Sequence, residues 1–176
     1  MRKFVSTLLA CLILSACFAQ SERKVSAYLL GQFNKTIYDR VIPNNPWGVG
    51  LGLQLYLNTR SKFKPTIELT ADAYLEDDKV GRLNPDGTMI DDLGGMTNLF
   101  AGVSYQPIQT IYISFVAGPS FSNGQTLLGI KPSIGFYFSE KQKWTMKFFY
   151  LNVFNRDKTT NGDFGTIGLG IGLRLF

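Results

Sequence analysis

The chain has 176 residues, no histidine, two cysteines and a formal net charge of +5. This length accommodates one domain, and the absence of histidine removes the commonest general base and metal ligand. The modest charge, without a basic stripe or a recognition helix, excludes a nucleic-acid partner of the usual kind. Both cysteines, Cys11 and Cys17, precede the expected mature chain, so neither a disulfide framework nor a thiol nucleophile is expected there.

The N-terminal residues have the pattern of a secretory signal. Arg2 and Lys3 precede a mostly apolar run, residues 5–16, which is shorter than the ~20 residues that a spanning helix needs. The small residue Ala19 precedes Gln20, and we expect cleavage between them. The chain then divides into a signal peptide, residues 1–19, and one barrel domain, residues 20–176. Residues 14–17, Leu-Ser-Ala-Cys, also resemble a lipobox, which would make Cys17 a lipidated N-terminus instead.

Apolar–polar alternation over roughly ten residues dominates the rest of the chain. A period of two is typical of strands whose two faces meet different surroundings. The pattern predicts eight strands, at residues 24–33, 47–57, 66–75, 96–105, 110–118, 127–138, 143–154 and 165–176. Short links at 58–65, 106–109 and 139–142 alternate with mostly longer links at 34–46, 76–95, 119–126 and 155–163. This rhythm is typical of outer-membrane barrels, whose turns are short on one side only.

The last segment shows the alternation most clearly. Five aliphatic residues share one face, namely Ile167, Leu169, Ile171, Leu173 and Leu175. The other face is small or charged and consists of Thr166, Gly168, Gly170, Gly172 and Arg174. A soluble sandwich would carry more lysine, glutamate and threonine on its polar face, so the aliphatic face is expected to meet lipid and the glycine face a crowded interior.

These patterns predict an all-β fold: an eight-stranded antiparallel up-and-down transmembrane β-barrel, preceded by a cleavable signal peptide. In lipid every backbone polar group must pair within the protein, so only helices and closed barrels can span. The soluble alternative is a secreted lipocalin-like, lipid-binding barrel, which would have an apolar lumen and a wet exterior. The predicted third strand favours the membrane barrel, because Glu68 and Asp72 share one face and the opposite face is uniformly apolar.

An eight-stranded barrel is just wide enough to be filled by its own side chains. The polar faces predict this lumen set: Tyr28, Gln32, Gln54, Tyr56, Glu68, Thr70, Asp72, Tyr74, Asn98, Tyr112, Lys131, Tyr137, Lys147 and Arg174. Buried charges are costly unless paired, so we predict a neutralising network of Glu68 and Asp72 with Lys131, Lys147 and Arg174. For the carboxylates of Glu68 and Asp72, structural ion pairing is a better interpretation than acid–base catalysis. Two rows of inward glycines, Gly48, Gly50 and Gly52 and then Gly168, Gly170 and Gly172, would make room for tyrosines or leave a narrow water path. The second case would give a small water or ion pore.

Aromatic residues cluster near the predicted strand ends, where rings with a polar edge favour the lipid–water boundary. The predicted girdles contain Trp47, Tyr105, Phe136, Phe138, Trp144 and Tyr150. The link at 76–95 is acidic and is a candidate for divalent-cation binding, although it lacks the spacing of an EF-hand loop. A solvated loop is the simpler interpretation.

With its signal peptide, eight alternating strands and the ending Leu173-Arg174-Leu175-Phe176, the chain resembles the small eight-stranded outer-membrane proteins of the OmpX and OmpA membrane-domain type, within the porin-like outer-membrane β-barrel family. The resemblance implies a location in the outer membrane of a Gram-negative bacterium, in contact with lipid and lipopolysaccharide. It also implies that the barrel assembly machinery reads Phe176, Leu175 and Leu173 as an assembly signal, although the apolar file here ends one residue before the aromatic.

The same resemblance implies a structural or interaction-mediating role. Enzymes among the small barrels, the lipid A palmitoyltransferase and deacylase families, rely on histidine, which this chain lacks. We therefore expect a monomer that is not an enzyme and carries no cofactor or metal. Loops 34–46, 76–95 and 155–163 are the segments expected to contact an extracellular partner.

Overall fold

The computed structural model describes residues 25–37, 46–75, 94–138, 141–157 and 162–176. Its strands are β1 (Val25–Thr36), β2 (Trp47–Leu57), β3 (Phe63–Tyr74), β4 (Gly95–Ile108), β5 (Ile111–Ser122), β6 (Gln125–Tyr137), β7 (Trp144–Asp157) and β8 (Gly162–Arg174). Each strand pairs antiparallel with the next, and β8 pairs with β1, so the sheet closes into a barrel. The predicted eight-stranded antiparallel barrel is confirmed. No helix in the described part of the chain is long and apolar enough to cross a membrane.

Alternation along every strand separates an apolar wall from a polar interior. Outward side chains are large and apolar: Leu51 is 66% exposed, Phe115 56% and Leu128 57%. Inward side chains on the same strands are buried and mostly polar, as with Gln54 and Lys131. A water-soluble barrel would show the reverse partition, because apolar surface in water is unfavourable.

The two ends of the barrel differ in their connections. At one end, here called the terminal end, β1 begins, β8 ends, and the links 58–62, 109–110 and 138–143 are short. At the other end, here called the opposite end, the links are 37–46, 75–94, 123–124 and 158–161. Two of the opposite-end links, 37–46 and 75–94, are longer than every terminal-end link, but 123–124 and 158–161 are not. The predicted alternation of short and mostly longer links therefore holds in part.

The link between β5 and β6 is shorter than predicted. Residues 119–126 were expected to form it, but β5 continues to Ser122 and β6 begins at Gln125. Asn123 and Gly124 make a two-residue turn with φ values of 47° and 71°, the combination that a tight hairpin needs. Pro119 suggested an earlier end to the strand, yet it pairs with Leu128 of β6.

Other strand ends also extend further than the sequence pattern predicted. The predicted loop 34–46 loses residues 34–36 to β1, and the predicted loop 155–163 loses residues to β7 and β8. In β7 the register shifts between Val153 and Asp157, where Asn155 has a φ of 54°. The Asp163 carboxylate accepts the Asn155 backbone N–H at 3.0 Å and the Asn152 amide at 3.2 Å, which holds this irregular end together.

Strand β8 and the two residues after it close the barrel against β1. The pairing runs from Tyr28 opposite Arg174 to Thr36 opposite Thr166. It continues past the end of β8, because Leu175 N–H donates to the Ala27 carbonyl at 2.8 Å and Ala27 N–H donates to the Phe176 carbonyl at 3.3 Å. Ala27 lies in phase with the outward residues but is only 1% exposed.

Candidate functional site

The centre of the lumen holds an ion-pair cluster formed by three strands. Glu68 of β3 binds Lys131 of β6 through Oε1 and Lys147 of β7 through Oε2, each at 2.6 Å. All three side chains are at most 1% exposed. A single carboxylate on β3 therefore bridges two ammonium groups that come from across the barrel, on β6 and β7.

Neutral groups complete the coordination of the two lysines. Lys131 Nζ also donates to Gln32 Oε1 at 3.2 Å, and Lys147 Nζ donates to Gln54 Oε1 at 3.3 Å. The Lys131 ammonium lies 4.0 Å from the ring centroid of Phe149, a cation–π distance. Buried ions need acceptors for their remaining hydrogen-bonding capacity, and these contacts give each ammonium a second acceptor beside the carboxylate.

Asp72 lies next to this cluster but is held by amides rather than by a cation. Its Oδ1 accepts from Gln32 Nε2 at 2.5 Å and from Asn34 Nδ2 at 2.7 Å. Its Oδ2 accepts from the Thr70 hydroxyl and from Asn98 Nδ2, both at 3.3 Å. Gln32 touches both groups, so the acid and the ion-pair cluster form one hydrogen-bonded layer across the barrel.

Arg174 lies apart from the four other charged residues of the predicted network. It is at the terminal end, where its Nε donates to the Phe176 carbonyl at 3.0 Å and its Nη1 donates to the Lys141 carbonyl at 3.3 Å. Its Nη2 donates to Ser26 Oγ at 2.8 Å. The structure thus brings Glu68, Lys131 and Lys147 together and adds Asp72 through hydrogen bonds. It leaves Arg174 out, because β8 places it at the terminal end, opposite Tyr28.

A layer of tyrosines fills the lumen on the terminal side of the charges. The rings pack against one another, edge-on or tilted, with centroids 4.9 to 6.0 Å apart, and belong to Tyr28, Tyr56, Tyr112 and Tyr137. Tyr112 lies over Gly135, where a Cβ would collide with its ring. The glycine file of β8 serves different neighbours, since Gly168 faces the Phe149 ring and Gly172 faces Leu30. Glycines therefore make room for large side chains, of which tyrosines are only a part.

An apolar layer fills the lumen on the opposite side of the charges, and Tyr74 is the one member of it that the sequence analysis placed in the lumen. Seven buried residues form it: Tyr74, Met96, Phe100, Val116, Leu151, Val153 and Phe164. Phe100, Val153 and Phe164 are completely buried. The alternation could have identified Phe100 and Val116, because both are in phase with inward polar residues. They were left out of the predicted lumen set because only polar residues and tyrosines were expected there.

The predicted lumen set is inside the barrel in nearly every case. Thirteen of its members are buried, and Arg174 is half-buried. Several buried polar atoms in the described residues have no hydrogen-bond partner, among them Asn34 Oδ1, Asn98 Oδ1 and Tyr56 Oη. No group of three carboxylate, cysteine or histidine side chains suited to a metal ion occurs in the described residues.

The predicted girdle aromatics lie on the wall near its two edges. Trp47 packs against Phe33 at 5.9 Å near the opposite end, and Tyr105 packs against Phe63 at 4.8 Å near the terminal end. Phe138 and Trp144 are exposed at the terminal end, at 62% and 46%. Phe136 and Tyr150 are half-buried members of the same wall.

The residues of the expected assembly signal all belong to the seam between β8 and β1. Leu173 pairs with Leu29 of β1 and with Trp144 of β7. Leu175 is 51% exposed and Phe176 37%. The expected cleavage site at Ala19 and Gln20, and most of the loops 34–46 and 76–95, lie outside the described residues, as do residues 158–161 of the third loop.

No protein-family model matches the chain, and no curated protein matches it by sequence. Solved structures do share its fold. Ail, the attachment invasion locus protein of Yersinia pestis, in complex with the heparin analogue sucrose octasulfate, aligns with a TM-score of 0.53 and 11% identity over 86% of this chain and 97% of that chain. Neisserial surface protein A aligns with a TM-score of 0.51 and 10% identity over 85% and 96%.

A de novo designed transmembrane β-barrel also aligns, with a TM-score of 0.53 and 8% identity over 85% of this chain and 95% of that chain. At these identities the likeness concerns the fold. The predicted resemblance to small eight-stranded outer-membrane barrels is confirmed, and the natural neighbours are outer-membrane proteins of Gram-negative bacteria.

Proposed function

We propose that the chain is a monomeric, non-conducting barrel of the Gram-negative outer membrane that presents its opposite-end links to the exterior as interaction segments. The apolar wall carries this proposal. Its outward residues form a continuous band between two aromatic edges, and such a band is stable only in lipid. The reverse partition expected of a lipocalin-like carrier argues against the soluble alternative.

Three filled layers support a closed lumen. The tyrosines, the ion-pair cluster and the apolar layer follow one another along the barrel axis. An ion entering from the opposite end would meet Phe100, Val116 and Phe164, which offer no polar atom to replace its water, and the Tyr74 hydroxyl is the polar group of this layer. These contacts favour a sealed barrel over the small pore.

The opposite-end links support an interaction role. Together they carry seven acidic and four cationic side chains, a net charge of −3. Surface loops on a rigid scaffold are a common place for recognition. Ail is a precedent for ligand contact in this fold, since its structure was solved with a heparin analogue, although a net acidic set of links favours cationic rather than sulfated partners here. We further propose lipid and lipopolysaccharide contacts along the wall, assembly through the strand ending at Phe176, and no catalytic role.

Refolding the mature chain into detergent micelles, with a parallel refolding in plain buffer, tests the membrane assignment. We expect a compact band on an unheated gel only with detergent, and its loss on boiling. A folded monomer in buffer alone would contradict the proposal and favour the secreted carrier.

Planar-bilayer recording tests the closed lumen. We expect no conductance steps from the refolded wild type. Stable steps that change in Lys131→Ala or Lys147→Ala would contradict the sealed barrel and establish the pore.

A further inference from the structure

Positive charge is concentrated at the terminal end of the barrel. The three links there carry four cationic and one acidic side chain, a net charge of +3, against −3 for the opposite-end links. We call the described cations at this end the terminal rim: Arg60, Lys62, Lys64, Lys141, Lys143 and Arg174. Four of them are exposed, and Lys64 and Arg174 are half-buried. The rim therefore presents a fixed positive field just beyond the apolar wall.

One part of the rim is a depression that joins charge to apolar surface. It has a volume of about 270 Å³ and is lined by Lys141, Lys143, Arg174, Leu175 and Phe176. Arg174 is fixed there by three hydrogen bonds to neighbouring oxygens. A guanidinium has five N–H donors, so two have no partner among the described residues and can donate to an anion from a position that is already ordered.

The neighbouring wall provides exposed aromatic surface beside the depression. Trp144 pairs with Leu173 directly beside the depression and is 46% exposed, and Phe138 next to it is 62% exposed. A ligand here would have a phosphate-like anion on the cations and an apolar chain running down the wall. A phospholipid has both of these parts, whereas an acidic protein or polymer has no acyl chain to cover the apolar part of the surface.

We propose that this depression is a binding site for an anionic phospholipid. Arg174, Lys141 and Lys143 surround the headgroup phosphate, and the acyl chain lies against Leu175 and Phe176 and then along Trp144. The site rests on the proposed membrane location, because only there does the wall meet acyl chains. The site would enrich acidic phospholipid among the lipids that surround the barrel at the terminal end and not at the opposite end.

The two tryptophans of the chain are ready-made reporters of the two ends. Trp144 lies at the terminal end and Trp47 at the opposite end. A Trp47→Phe variant isolates the first and a Trp144→Phe variant isolates the second. Each is refolded into phosphatidylcholine vesicles that contain increasing fractions of phosphatidylglycerol with brominated acyl chains, and quenching gives the relative association of the brominated lipid. Brominated phosphatidylcholine provides the reference.

We expect Trp144 to be quenched preferentially by brominated phosphatidylglycerol and Trp47 to show no preference. Each Lys or Arg near a charged lipid surface contributes on the order of a fivefold gain in association, so Lys141→Gln with Lys143→Gln should remove most of the preference. Lys35→Gln, an exposed cation at the opposite end, is the matched control and should leave it unchanged. Equal quenching of Trp144 by the two lipids, or a preference that survives the double substitution, would overturn the proposal.

Two further measurements separate this inference from its alternatives. The preference should persist when chloride is exchanged for inorganic phosphate at equal ionic strength, and its loss would assign the site to free phosphate instead of lipid. Insertion of each variant is checked by heat-modifiable migration in phosphatidylcholine alone. A wild-type chain that does not insert refutes the proposed function, whereas a Trp47→Phe chain that inserts but shows no lipid preference refutes only the site.

Discussion

Replacing Glu68 by glutamine removes the carboxylate that both central lysines share. The amide oxygen of glutamine can accept from one ammonium at most, and its amide nitrogen would face the other as a second donor. Both Lys131 and Lys147 would then be buried cations without their carboxylate partner, and one of them would face an amide N–H group. Gln32 and Gln54 still supply one neutral acceptor to each lysine, which lessens the loss without replacing a charge.

Breaking a buried ion pair by removing one partner costs about 3–5 kcal/mol, and we expect Glu68→Gln to lower the free energy of unfolding by an amount in this range. The assay is reversible urea unfolding in phospholipid vesicles followed by tryptophan fluorescence. Adding Lys147→Met to the Glu68→Gln chain restores the charge balance of the lumen, and we expect it to recover at least half of the loss.

Asp72→Asn is the matched control, because it changes a buried carboxylate that no cation contacts directly. Asn98 Oδ1 has no partner, so a rotated Asn98 amide can accept from the new amide group while the new oxygen accepts from Gln32 or Asn34. We expect a cost of about 1 kcal/mol. Equal losses for Glu68→Gln and Asp72→Asn, or no recovery in the charge-balanced double variant, would refute the reasoning that ion pairing dominates this layer.

The same unfolding assay tests three other features. Gly135→Ala should cost about 1–3 kcal/mol through overpacking, because its Cβ would collide with the Tyr112 ring, whereas Gly31→Ala has no atom within 4 Å of the new Cβ and should cost well under 1 kcal/mol; similar values for the two would contradict the packing argument. Phe100→Ala empties part of the apolar layer and should cost about 3 kcal/mol, and an unchanged midpoint would mean that the layer is not packed. Leu51→Lys places a charge on the middle of the wall and should cost about 2–4 kcal/mol in lipid; a neutral effect would mean that Leu51 faces water.

The sequence was sufficient to predict the strands because lipid and lumen impose opposite demands on alternate residues. Strand β3 shows this alternation clearly, because Glu68 and Asp72 face inward and Ile67 and Leu69 face outward. Boundaries were less predictable. Strand β5 continues through Pro119, which has a register partner in β6 but none in β4. Local residue preference cannot reveal which neighbour a strand end will find.

The interior was harder to predict than the strands, because contacts across the barrel depend on stagger as well as on phase. The sequence predicted that Glu68 and Asp72 would neutralise Lys131, Lys147 and Arg174, and Glu68 is paired with Lys147. Glu68 is also paired with Lys131, so Asp72 is connected to that lysine only through Gln32. Arg174 had the correct phase but the wrong height, and Phe100 had the correct phase but an unexpected chemistry.

The seam between β1 and β8 has a consequence for the order of events in folding. Tyr28 and Arg174, which are neighbours in the sheet, lie almost a whole chain apart in sequence. Every other strand pair joins consecutive segments, so seven of the eight contacts can form as hairpins while the ring stays open. Until residues 162–176 arrive, β1 and β7 are both unpaired edges, which in any chain invite pairing with other molecules. Closure must wait for the slowest, most distant contact, and a chaperone that shields those two edges would act during that interval.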